Sequence, residues 1–217
     1  MHGTLSTPAG PVPCVTSRLS RADRWGAFKA RWGVGRMSYT VDPGLYALND
    51  PDPDAPVLVT ANYKLSFDHL RNAFAGRPAW VLVLDTRGIN VWCAAGKGTF
   101  GTDELVRQVD RSGLKDVVNH RRLILPQLGA PGVAAHEIGR RTELRVVYGP
   151  VRAGDLPAFL DRGLEATAAM RRKTFPLAER IVLVPVELVG ALKLALPAAV
   201  VLFLLGGLGG SGTYWQR

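Results

Sequence analysis

From Val57 onward the chain alternates two hydrophobic patterns. The short aliphatic and β-branched runs Val57-Leu58-Val59-Thr60-Ala61, Val81-Leu82-Val83-Leu84, Leu123-Ile124-Leu125 and Leu144 to Tyr148 are strand-length. Between them the apolar residues take helical spacing. Leu65, Leu70 and Phe74 share one helical face, Leu105, Val106 and Val109 follow Thr102-Asp103-Glu104, and further helices are predicted over Val133 to Arg141 and Leu156 to Leu164. Thr102 is placed to cap its helix and Gly113 to end it. Apolar strands separated by helices predict an α/β fold, a Rossmann-like doubly wound and mostly parallel sheet covered on both faces.

Residues 1–56 break this pattern. They are rich in Pro, Gly, Asp and Arg, and the run Asn49 to Pro56 cannot sustain a helix or a central strand. The expected organisation is an N-terminal arm over 1–56, an α/β domain over 57–173, and a juxtamembrane and transmembrane region over 174–217. In the last, Leu188 to Leu208 carries no charge but Lys193 and is long enough to cross about 30 Å of hydrocarbon. Its aliphatics contribute roughly −0.3 to −0.6 kcal/mol each against about +2.5 to +3.5 for one central Lys, so a C-terminal transmembrane helix is predicted. Lys193 can snorkel, Pro197 should kink the helix, and Gly206 to Gly210 should end or loosen it.

Charge narrows the function classes. Lys+Arg number 27 against 18 Asp+Glu, a net +9. The basic residues form no aromatic-interleaved stripe but collect at Arg18 to Arg36, Arg121-Arg122, Arg140-Arg141, and Arg171-Arg172-Lys173 with Arg180, which argues against nucleic acid. The last cluster adjoins the apolar segment, with only Arg217 beyond it, and predicts a head on the cytoplasmic side of the inner membrane. The N-terminus has neither the basic nor the apolar region of a secretory signal. Two cysteines, Cys14 and Cys93, make neither a zinc site nor an iron-sulfur site, and His2, His69, His120 and His136 have no ligand spacing.

In an open parallel sheet, ligands bind beyond the carboxyl ends of the strands. That rule marks the loops Thr60 to Lys64, Asp85 to Lys97, Pro126 to Gly132 and Gly149 to Arg152, all rich in Gly, Pro and small polar residues. The second holds Asn90-Val91-Trp92-Cys93-Ala94-Ala95-Gly96-Lys97, with its thiol between a tryptophan and two alanines. Three readings stand. Gly96 to Gly101 fits the dinucleotide pattern G-x-G-x-x-G, but the first Gly lies far past the strand and the next helix opens with carboxylates where pyrophosphate would sit. Cys93 is a buried structural cysteine. Or its thiolate ligates a metal carried by a flat cofactor that the small neighbours admit.

The segment Asn90 to Lys97, with the preceding Leu82 to Ile89, the upstream Thr60 to Asp68 and the downstream His120 to Ile138, resembles the corrinoid protein of microbial mercury methylation, a likeness running from about Thr16 to Gly210. That family is related to the large subunit of the corrinoid iron-sulfur protein of the acetyl-CoA pathway, which has a similar Ala-Ala-Gly-Lys loop without the cysteine. The resemblance implies a corrinoid-dependent methyltransferase with a base-off, cobalamin-type corrinoid, Cys93 as lower axial ligand to cobalt, and methyl transfer to Hg(II). The acetyl-CoA pathway is the alternative acceptor, and a membrane-tethered nucleotide-binding or scaffold protein is the alternative of another class.

It further implies a ferredoxin-like iron-sulfur electron donor and a methyl donor or methyltransferase of one-carbon metabolism as partners. Cofactor contacts are implied at Asn90, Val91, Trp92, Ala94, Ala95, Gly96 and Lys97 around Cys93. Thr60 and Asn62 are expected to contact it from the first loop, and Gln127, Gly129 and Gly132 from the third. Asn90 and Trp92 are expected to set the loop, and Lys97 to offer a charge to the cofactor or the thiolate. The family's membrane domain has several helices, so a chain ending at Arg217 after one is expected to be a fragment.

Overall fold

The computed structural model describes residues 3–209. The assignments made above to His2, Gly210 and Arg217 concern residues outside that range. The chain divides into two compact units, one holding residues up to Gly26 together with Met37–Thr174, the other holding Ala27–Arg36 and residues from Phe175 on.

In the first unit the described residues form one seven-stranded sheet: β1 (Thr4–Thr7), β2 (Gly10–Val15), β3 (Gly44–Leu48), β4 (Val57–Ala61), β5 (Ala79–Leu84), β6 (Arg122–Leu125) and β7 (Arg145–Tyr148). Their spatial order is β1-β2-β3-β5-β4-β6-β7. β5, β4, β6 and β7 run parallel, as do β2 and β3, while β3 is antiparallel to β5 and β1 to β2. Side chains alternate faces along each strand. Val57, Val59, Ala61, Trp80, Leu82 and Leu84 pack with Leu105 and Val109 of α4 (Thr102–Arg111), Leu114 of α5 (Leu114–Val117) and Ile138 of α6 (Ala135–Thr142). Leu58, Ala79, Val81 and Val83 pack with Phe67 and Leu70 of α2 (Lys64–Ala73), with Phe74, and with Phe159 of α7 (Leu156–Asp161). Burial on both faces explains why β5 has no polar position and β4 only the buried Thr60. The sheet is the doubly wound, mostly parallel one the pattern predicts.

The segment read as an arm supplies three of those strands. β1 and β2 form a hairpin in which Thr7 Oγ1 donates to Gly10 O at 2.6 Å. Cys14 N donates across it to Gly3 O at 2.9 Å, so the even positions of β2 face β1. Pro11 and Pro13, which have no N–H to offer, therefore face the other way. This is consistent with β2 pairing to β3 only at Cys14 and Val15.

An ionic cluster ties the N-terminal segment to α2. Lys64 Nζ reaches Asp23 Oδ1 at 2.7 Å and Asp68 Oδ1 at 2.5 Å, while Arg71 reaches Asp23 Oδ2 and Asp68 Oδ1, both at 2.8 Å. Arg71 Nη1 also donates to Thr16 O at 2.8 Å and Arg18 O at 3.1 Å. Burial alone would raise the pKa of Asp23. The Lys64 ammonium, two hydrogen bonds from Ser20 and the Arg71 guanidinium outweigh it and hold the carboxyl well below the usual range.

Of the two ends expected for α4, the first differs and the second agrees. Gly101, not Thr102, occupies the N-cap of α4, and Thr102 Oγ1 accepts instead from Ala134 N at 2.9 Å. Gly113 follows α4 in the left-handed region, φ 57°, as a helix-ending glycine should.

The second unit contains the end of α1 (Arg21–Arg31), then α8 (Leu177–Ile181) and α9 (Val184–Gly209). The stretch Leu177–Gly206 is long and apolar enough to cross a membrane. α9 continues through Pro197 and through Gly206 to Gly209, so the glycines do not end it before that residue.

Candidate functional site at the carboxyl edge of the sheet

The chain leaves β4 for β5 on one side and returns across β4 to β6 on the other, so the strand order reverses between β4 and β6. At such a switch point the connections diverge and leave a crevice beyond the strand ends. The segments over that edge are α3 (Val91–Gly96), the 3-10 turn Gln127–Gly132, and the connection Asp85 to Ile89. α3 packs against the 3-10 turn and approaches β4.

The stretch expected to be a loop is thus a short helix, and Asn90 makes it one. Asn90 sits at the N-cap in extended backbone, and its Oδ1 accepts the Cys93 N–H at 3.0 Å. An N-cap side chain satisfies a donor that has no partner inside the helix. The helix buries Ala94 and Ala95, half-buries Val91, and turns Trp92, Cys93, Gly96 and Lys97 outward. Trp92 is 53% exposed, so it is not a core aromatic. The Cys93 thiol is exposed as well, which removes the buried-structural reading. A Cβ at Gly96 would meet nothing within 4 Å.

Ala94 and Ala95 are buried, and at Ala95 the small side chain lets the 3-10 turn come close. A Cβ at Gly132 would collide with Phe100 O and stand 3.1 Å from Ala95 Cα, and one at Gly129 would meet the Phe100 ring. Gly129 and Gly132 are therefore close-packing residues beneath the platform. Gln127 is half-buried, and its Oε1 accepts from Arg171. Tyr148 Oη donates to Val133 O at 2.6 Å and pins the turn's exit.

Asn62 holds the connection after β5. Its Oδ1 accepts from Thr86 N at 3.1 Å and Gly88 N at 3.0 Å, and lies 2.9 Å from Thr86 Oγ1. Its Nδ2 donates to Asp85 Oδ1 at 3.3 Å. Asn62 is 6% exposed and Thr60, inside β4, is 4% exposed. Both were expected to touch a ligand. The structure places them under the rim, with the Asn62 amide occupied by the chain. Sequence reasoning missed Glu104. Its Oε1 accepts from Asp85 N at 2.7 Å and from Gln108 Nε2 at 2.9 Å, fastening α4 to the end of β5. The acidic opening of α4 was visible; its inward carboxylate was not.

The candidate site is thus an outward face of Trp92, Cys93, Gly96 and Lys97, with Asn62, Asn90, Gly129 and Gly132 bracing the segments that carry it. It offers one soft donor beside one cation, a donor suited to a soft or borderline metal. A separate concavity lined by His120, Arg122, Leu160 and Leu164 lies by the starts of β4 and β6, at the edge where open α/β sheets do not bind ligands.

Comparison with known proteins places the fold. Residues 34–160 match the family model described as CdhD, the CO dehydrogenase/acetyl-CoA synthase delta subunit. The chain is 33% identical over 129 residues to the acetyl-CoA decarbonylase/synthase complex subunit gamma of Archaeoglobus fulgidus, covering 58% of this chain and 27% of that protein. The subunit gamma of Methanopyrus kandleri is 32% identical over 129 residues, covering 58% and 28%. That of Methanocaldococcus jannaschii is 34% identical over 97 residues, covering 44% and 20%. The chain thus spans under a third of the length of these relatives.

Proposed function

The chain belongs to the CO dehydrogenase/acetyl-CoA synthase delta subunit family, and from that premise we propose that it is a corrinoid-dependent methyl-transfer domain, a counterpart of the subunits its relatives form in the acetyl-CoA decarbonylase/synthase complex. The observation that carries the proposal is the thiol-bearing face of α3 over the β4/β6 switch point, where doubly wound sheets bind flat cofactors. The face fits such a group in two respects: Cys93 is exposed, and the space above Gly96 is open.

When bound, a corrinoid supplies a methyl group held on cobalt. Cys93 is the residue that would ligate the metal, and Trp92, Gly96 and Lys97 would flank the ring. Asn90 fixes the turn that carries the thiol by capping Cys93 N–H. Lys97, whose backbone N–H donates to Cys93 O at 3.1 Å, places a cation at the end of the same short helix. Gly129, Gly132 and Asn62 keep the platform rigid so that the donor does not have to be ordered on binding.

The named relatives favour the acetyl-CoA complex as the setting, with an iron-sulfur subunit and the rest of that complex as partners. One observation favours a second reading, methyl transfer to Hg(II). The exposed soft sulfur of Cys93 is a strong electron donor, suited to stabilising a metal that gives up a methyl group with its electrons to an electrophile. In that setting the partners are a ferredoxin-like electron donor and a methyl donor or methyltransferase of one-carbon metabolism. We also propose that α9 anchors the protein in the inner membrane. The cluster Arg171, Arg172, Lys173 and Arg180 favours the cytoplasmic side for the α/β unit.

Elemental analysis of the purified chain tests the class. Cobalt near one atom per chain supports the proposal, and its absence returns the protein to a nucleotide-binding or scaffold role. Two assays then separate the acceptors: methyl transfer to acetyl-CoA synthase, and methylmercury formation from Hg(II). Activity in the first alone settles on the acetyl-CoA reading, and in the second alone on mercury.

A further inference from the structure

The second unit brings a segment bearing aromatic and basic side chains up to the start of α9. A Cβ at Gly33 would stand 3.8 Å from Val189 Cγ1 and 3.9 Å from Val186 Cγ2, so this segment lies against the first turns of α9. Around that contact, Phe28 is 50% exposed, Trp32 38% and Val34 61%. Phe28 and Trp32 are four positions apart on one helical face, with ring centroids 6.1 Å apart. Lys29, Arg31 and Arg36 are interleaved with them.

A tryptophan, a phenylalanine and a valine exposed beside Lys29 and Arg31, with the half-buried Arg36 donating to Ala30 O at 3.4 Å, would be an aggregation-prone surface in water. At the boundary of a bilayer the same set is favourable. Aromatic rings settle at headgroup depth, aliphatic and aromatic faces enter the acyl boundary, and Lys and Arg meet anionic phosphates. If α9 crosses the bilayer, Val186 and Val189 lie where its hydrocarbon span begins, and Gly33 is held at that level.

We propose that Ala27–Arg36 is an interfacial docking element that lies on an anionic lipid surface beside the membrane entry of α9. The inference rests on the reading of α9 as a membrane span. Its occupant is the lipid surface, because the exposed cations Lys29 and Arg31 and an aromatic pair complement anionic headgroups above hydrocarbon, and because the segment adjoins the one long apolar helix of the described residues.

The test uses the full chain in vesicles of phosphatidylcholine with or without phosphatidylglycerol. Substituting Trp25→Phe, Trp92→Phe and Trp215→Phe leaves Trp32 and Trp80, the latter 2% exposed in the sheet. Lipids brominated near the headgroup should quench the emission more than lipids brominated near the chain terminus. Adding Trp32→Phe should abolish that difference. Replacing Lys29 and Arg31 with Gln should weaken docking onto phosphatidylglycerol vesicles by roughly fivefold per charge. Carbonate extraction is measured on the same vesicles. Protein that resists carbonate but shows no Trp32 quenching overturns the docking and leaves the span intact. Protein released by carbonate overturns the span and the docking with it. Trp32 shielded from iodide only in a concentration-dependent dimer assigns the face to a second copy and overturns the proposal.

Discussion

Replacing Asn62 with Ala separates two roles for one residue, a contact to a bound cofactor and a brace for the segment that leads to Cys93. The Asn62 oxygen accepts from the backbone N–H groups of Thr86 and Gly88, both residues buried. The Thr86 hydroxyl keeps a second acceptor in Ile89 O at 2.6 Å, and the half-buried Asp85 can turn to water. Two buried donors are therefore left unpaired. At about 1–3 kcal/mol each, the cost is about 2–6 kcal/mol, toward the lower end if a water enters the vacated space. A loss of that size is a large share of a total stability of about 5–15 kcal/mol. The assay is the urea midpoint of the cofactor-free chain, followed by pulse proteolysis, beside the reaction rate of the Cys93 thiol with a disulfide reagent. The brace predicts a lower midpoint and an altered thiol rate with no cofactor present. A midpoint within about 0.5 kcal/mol of the parent, with weaker cofactor binding, would refute the brace and restore the contact role.

Arg71→Met leaves Asp68 and Asp23 without their shared guanidinium. With side chains 8% and 5% exposed at Arg71 and Asp68, a loss of about 3 kcal/mol is expected, Lys64 still pairing both acids; an unchanged denaturation midpoint would contradict it. The lowered pKa of Asp23 makes its contribution fully present above the unfolded value of about 3.9 and lost as pH falls through the folded value. Denaturation midpoints taken downward from pH 6 should therefore fall less steeply below about pH 4 for Asp23→Asn than for the parent, and parallel curves would sink the assignment. Gly132→Ala forces a Cβ into the Phe100 carbonyl and should cost about 1–3 kcal/mol, while Gly96→Ala, into open space, should change stability by less than 1 kcal/mol; equal losses would refute the packing account of α3.

The parallel half of the sheet was legible because its strands are buried on both faces, and a run such as Val81 to Leu84 has few other places to go. β1 to β3 were not. Gly10, Pro11 and Pro13 argue against a strand, and only the three-dimensional pairing shows that Pro11 and Pro13 face the side of β2 that pairs least. β3 could have been found from Leu45 to Leu48, all buried, but its neighbours Asp42-Pro43 and Asn49 to Pro56 obscured it. The candidate site was legible in residue type more than in geometry. Cys93 stood out by type and neighbourhood, whereas the side chain that orients it, Asn90, was read as setting a loop when it caps a helix. Asn62, Gly129 and Gly132 were singled out as contacts. Their structural uses depend on Thr86, Phe100 and Ala95, and no periodicity reveals such partners. The cluster of Asp23, Lys64, Asp68 and Arg71 was invisible for the same reason, since Asp23 lies 41 positions from Lys64.

Absorption spectroscopy of the purified full chain, loaded with corrinoid and compared with its Cys93→Ala variant, tests the central claim most directly. The account predicts a bound base-off corrinoid whose spectrum shifts when the sulfur is removed while the fold, followed by circular dichroism, is retained. Identical spectra from the two proteins would contradict ligation by Cys93 and leave α3 as a structural element of the sheet's edge.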